Sequence, residues 1–124
     1  MITDPYKLGT DYSEMVNQLA GRGADTLKRL SADQLEHLHA AMGISGEAGE
    51  LLDAVKKHVF YQQPLDYLHV VEELGDLEFY LEWLRVKVGV DREETLRANM
   101  EKLAIRYPKY KYTDAAAAAR ADKA

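Results

Sequence analysis

An all-α fold is predicted by three features of this 124-residue sequence. Its apolar residues recur at spacings of three and four. No stretch alternates as a strand would, and Ser, Asp and Gly stand where helices should start and stop. A bundle of antiparallel helices follows, because the connections are too short for distant helices to be joined.

Residues 1–9 read as an irregular arm, since Pro5 and Gly9 interrupt any pattern. A short helix is expected from Thr10 to Ala20, with Tyr12, Met15, Val16 and Leu19 on one stripe, and Gly21 and Gly23 end it. A linker then leads to Ser31, which forms a reciprocal capping box with Gln34. Leu35, Leu38, Met42, Ala48, Leu51, Leu52, Val55 and Val59 carry the next stripe up to a hinge at residues 60–64, FYQQP. Gly43, Gly46 and Gly49 interrupt that helix at a cost close to 1 kcal/mol each relative to alanine. A continuous helix is expected, its glycines forming a smooth ridge for close approach by another backbone or a substrate. The alternative is a new helix capped at Ser45.

Pro64 fits the first turn of the following helix, which carries Leu65, Leu68, Val71, Leu74, Leu77, Leu81, Leu84 and Val88. Phe79, Trp83 and Val86 form a second apolar face, so this helix should be covered on both sides and share its core with another copy. Gly89 closes it. Asp91 and Glu94 form a capping box for a last helix with Leu96, Met100, Leu103 and Ile105, stopped by Pro108. The expected organisation is an N-terminal arm and short helix at 1–31, a helical domain at 32–112 and an Ala-rich tail at 113–124, helix-prone but without an apolar face and therefore frayed.

The chain has 16 basic and 21 acidic side chains, a net charge of −5 and no cysteine. Disulfides, thiolate metal sites and cysteine nucleophiles are excluded, and general binding to nucleic acid is disfavoured. No apolar run approaches the roughly 20 residues needed to span a bilayer. The expectation is a cytoplasmic protein with no membrane or nucleic-acid partner. No Gly-rich phosphate loop and no Ser/His/Asp arrangement is present.

The chemistry concentrates in two acid pairs, Glu47 with Glu50 and Glu73 with Asp76. Residues three apart on a helix lie about 60° apart, so each pair shares one face. Leu51, Leu52, Val55, Leu74, Leu77 and Leu81 flank the acids where a core stripe should run. Either pair alone would be an ordinary solvated feature. Two pairs on helices folded together at the hinge instead form one cluster, whose repulsion a hard divalent cation relieves. All-oxygen ligands suit Mg²⁺ or Mn²⁺. Asn99, Lys102 and Arg106 form an i, i+3, i+7 row on the last helix, able to hold phosphate oxygens. His37, His39, His58 and His69 form no ligand cluster with one another and read as surface or core-edge residues.

Residues 43–61 (GISGEAGELLDAVKKHVFY), 71–81 (VEELGDLEFYL) and 99–108 (NMEKLAIRYP) resemble the successive motifs of the MazG-like all-α nucleoside triphosphate pyrophosphohydrolases. The likeness runs in unbroken order over about residues 32–108. It implies that Glu47, Glu50, Glu73 and Asp76 bind Mg²⁺, with Mn²⁺ as a possible substitute. By the same resemblance Lys57, Asn99, Lys102 and Arg106 hold the triphosphate, supported by Tyr107. It further implies assembly as a dimer or tetramer, with sites completed near subunit interfaces. The expected reaction splits a nucleoside triphosphate into monophosphate and pyrophosphate, with Glu47 or Glu50 taking a proton from the attacking water. Tyr61, Tyr80 and Trp83 could stack on a base, but a core role suits each better. The competing reading is a helical interaction or regulatory module that binds Mg²⁺ or nucleotide without turnover.

Overall fold

The computed structural model describes residues 10–123, which form six α-helices and two 3₁₀ turns with no strand among them. No helix among these residues is long and apolar enough to cross a membrane. The chain divides into two compact units, residues 1–35 and 36–124. The expected arm at residues 1–9 lies outside the described residues.

In the first unit α1 spans Thr10–Ala20, as its stripe and following glycine require. The Gly21 N–H bonds the Asn17 carbonyl at 3.0 Å. A second helix, α2 (Gly23–Arg29), replaces the expected linker. Gly23 begins a helix rather than ending one. Asp25 in its first turn and Lys28 and Arg29 in its last complement the helix dipole, which the glycine-based reading overlooked. The capping box at Ser31 is present in both directions, at 3.0 Å each.

Helix α3 runs without a break from Ala32 to Phe60, so none of its glycines ends it. Tyr80 accounts for Gly43, because a Cβ at that position would overlap the tyrosine ring. Gly46 and Gly49 face open space. Gly43→Ala should therefore destabilise the protein by about 1–3 kcal/mol through overpacking. Gly46→Ala should be neutral or stabilising by up to about 1 kcal/mol. Urea unfolding of the two variants tests the contrast, and equal effects would contradict it.

Helix α4 (Tyr67–Val88) begins three residues beyond Pro64, not around it. Asp66 sets the start, because its carboxylate accepts the His69 N–H at 3.0 Å and satisfies a donor of the first turn. Pro64 tolerates a first turn but offers no such acceptor, and it stays in the connecting loop. Gly89, with φ 74°, closes α4 in the left-handed region and donates to carbonyls of the last turn.

Contacts between α3 and α4 follow one another along both helices. Lys87 pairs with Glu36 at 2.5 Å. Trp83 and Tyr80 meet His39, with ring centroids 5.0 and 6.4 Å apart. Tyr80 then covers Gly43. Both aromatic rings thus serve the helix packing.

Helix α5 (Arg92–Arg106) starts at the expected capping box. The Glu94 N–H donates to Asp91 at 2.7 Å, and the Asp91 N–H to Glu94 at 3.1 Å. A 3₁₀ turn, Pro108–Tyr110, follows. The helix-prone tail forms α6 (Asp114–Ala119), capped by Thr113, whose hydroxyl accepts the Ala116 N–H at 3.0 Å, and it packs on α5 rather than fraying. A last 3₁₀ turn, Ala121–Lys123, returns to α5. An alanine run has no visible apolar face, yet Ala116 and Ala117 are half-buried and Asp122 ion-pairs with Arg106.

The apolar stripes are only partly covered within one chain. Leu51, Leu77 and Leu81 are half-buried, whereas Leu52, Val55 and Leu74 are exposed. On the second face of α4, Phe79 is 65% and Val86 66% exposed. Among the described residues only Ala40, Ala54 and Glu73 are buried.

Candidate metal centre

Oxygens of Glu47 on α3 and of Glu73 and Asp76 on α4 all lie within 4.8 Å of one another. The i, i+3 spacing puts Glu73 and Asp76 on one face of α4, and the contacts along α3 bring Glu47 opposite them. Burial differs among the three. Glu73 is 4% exposed, Glu47 half-buried and Asp76 exposed. One carboxylate oxygen each of Glu47 and Glu73 is buried without a hydrogen-bond partner.

Burial, followed by the neighbouring carboxylates of Glu47 and Glu50, pushes the Glu73 carboxyl up to about 7. Such a group holds its proton unless something positive compensates it. The nearest imidazole, Nε2 of His69, lies 3.6 Å from Glu73, beyond a good hydrogen bond.

An open cavity of about 470 Å³ adjoins the cluster, lined by Gly46, Gly49, Glu50, Asp53, His69 and Glu73. Glu50 stands outside the tight triad but beside Glu73, whose proton affinity it raises. Asp53 and His69 line the cavity without belonging to either acid pair, although their positions are readable from spacing. Asp53 lies three residues after Glu50, and His69 four before Glu73, both spacings that return to the same helix face.

Of the residues read as phosphate ligands, Lys57 reaches the rim of the cavity through Asp53, and the other three lie on α5. Lys57 pairs with Asp53 at 2.9 Å on the exposed surface of α3. Asn99 and Lys102 are exposed on α5, and Arg106 is engaged by Asp122. None of Lys57, Asn99, Lys102 and Arg106 lines the acidic cavity. A single chain thus gathers the acids without the cation row.

The donor set fits a hard divalent ion. It is all oxygen, it is anionic, and two of its buried oxygens lack any other partner. The family model described as the MazG nucleotide pyrophosphohydrolase domain matches residues 35–111, more than half of the chain. The chain belongs to the MazG family. No curated protein and no solved structure matches it. The MazG match covers α3 from Leu35 onward, α4 and α5, and therefore all four acids together with the cation row, while α1, α2 and α6 lie outside it. Membership makes this a chain of the nucleotide pyrophosphohydrolase class.

Proposed function

We propose that this MazG chain is a Mg²⁺-dependent nucleoside triphosphate pyrophosphohydrolase that converts surplus or noncanonical (deoxy)nucleoside triphosphates of the cytoplasm to monophosphate and pyrophosphate. The observation that carries this reading is the convergence of Glu47, Glu73 and Asp76 around buried, unpartnered oxygens. Acids that served only as surface charges would be solvated, and salt-bridge acids would have cations against them.

Glu47, Glu73 and Asp76 would hold the ion, with Glu50 at the edge of the cavity. Mg²⁺ bound there supplies charge neutralisation for phosphate oxygens and a more acidic water. Glu50 or Glu47 takes the proton of the attacking water, and Glu50 is the better placed because it lines the open cavity. Gly46 and Gly49 leave room for the substrate to approach the backbone of α3.

Asn99, Lys102, Arg106 and Lys57 hold the triphosphate in this reading, and a second subunit brings the α5 row to the acids. Phe79 and Val86 are exposed in one chain, which supports a dimer or tetramer as the working form. Pyrophosphate release on a panel of nucleotides should vanish in excess chelator and return with Mg²⁺ or Mn²⁺. Undiminished release in chelator would sink the reading.

A further inference from the structure

We propose that Asp122 is a positioning residue for the phosphate-binding arm, fixing the guanidinium of Arg106 so that its remaining donors face the triphosphate. The inference rests on the reading of Arg106 as a phosphate ligand, but Asp122 itself lies beyond the family match at residues 35–111.

Asp122 accepts from Nε of Arg106 at 2.6 Å and from Nη2 at 2.9 Å, a side-on, bidentate pair. These bonds use two of the five N–H donors a guanidinium carries, so others remain for a second anion. The Asp122 side chain is 1% exposed, whereas that of Arg106 keeps 18% of its surface accessible. The carboxylate is therefore sealed beneath the arginine, and the arginine is not sealed by the carboxylate. The Arg106 hydrogen bond holds the Asp122 carboxyl below its usual range, so it stays ionised at neutral pH.

The surrounding fold supports a fixed arm. The Ala121–Lys123 turn and α6 both pack on α5, and Thr113 caps α6. Asn99 and Lys102, the other members of the row, are exposed, which leaves Arg106 as the member held in one place by a buried partner. An arginine already ordered loses less side-chain freedom when it takes up phosphate. That advantage belongs to binding, so removing Asp122 should raise KM rather than lower kcat.

Steady-state turnover of the full chain, together with its thermal melt, tests this on Asp122→Ala, Asp122→Glu, Arg106→Ala and the double variant. KM for the triphosphate should rise several-fold to about tenfold in Asp122→Ala, with kcat within about twofold. Asp122→Glu, which keeps the charge, should recover part of the loss. The double variant should be no worse than Arg106→Ala, because Asp122 acts only through Arg106. Unchanged KM with a lowered melting temperature would overturn the proposal and leave Asp122 a fastener of the tail. A lowered KM would overturn it in another way, making the carboxylate a competitor of phosphate. Unchanged KM in Arg106→Ala would show instead that the phosphate assignment of Arg106 had failed.

Discussion

Glu73→Gln is expected to reduce pyrophosphate release at least about 100-fold while raising the melting temperature of the metal-free protein at pH 8. The two effects have one cause. Glu73 is a buried acid whose carboxyl titrates near 7 against an ordinary 4.5, because it is shielded from water and faces Glu47 and Glu50. The folded protein therefore binds its proton more tightly than the unfolded chain does. Its stability should fall as pH rises from about 4.5 to about 7, and the loss is complete above that range. Glutamine keeps the size without the charge, so the variant lacks this loss and melts higher than the parent at pH 8 but not at pH 5. On the proposed reading the variant also loses a metal ligand, and turnover goes with it. An acid that stabilised the fold through a cation would show the opposite pattern, a lower melting temperature with little change in rate.

The second large effect concerns assembly. Phe79 is 65% exposed on a face of α4 that also carries Val86, and the cation row of α5 does not line the acidic cavity of its own chain. The chain should sediment as a dimer or larger species at micromolar concentration. Phe79→Glu places a charge where an aromatic anchor should be buried, and losing such an anchor weakens association about 30-fold or more. Activity should fall with it, and increasing protein concentration should restore part of it. A well-folded, fully active monomer would show that the exposed face has another use.

Much of this fold was legible because its signals are local. The spans of α1 and α3, the capping boxes at Ser31 and Asp91 and the stop at Gly89 each depend on residues within one or two turns. The errors arose where a residue permits more than one conformation. Gly23 can begin a helix as well as follow one, and Pro64 tolerates a first turn without specifying it, so Asp66 decided the start of α4. The helix propensity of the tail was readable from its alanines, but its docking on α5 was not. Alanines cover a partner without announcing a face, and Asp122 acquires its role from Arg106, 16 residues away.

At the candidate site, spacing placed each acid pair on one face, and the hinge implied that the faces meet. It could not rank the acids. Burial of Glu73, exposure of Asp76 and the offset of Glu50 depend on how α3 and α4 pack. The ion pair of Lys57 with Asp53 is itself readable, as an i, i+4 spacing, but the packing of α5 against the C-terminal segment is not.

Calorimetric titration of Mg²⁺ into the metal-free protein and into Glu73→Gln, at pH 6 and pH 8, tests the metal centre most directly. Saturable binding by the parent should be tighter at pH 8, accompanied by proton release at pH 6 where Glu73 must give up its proton, and should be lost or greatly weakened in the variant. Equal binding by both proteins at both pH values would contradict a metal centre built on Glu47, Glu73 and Asp76.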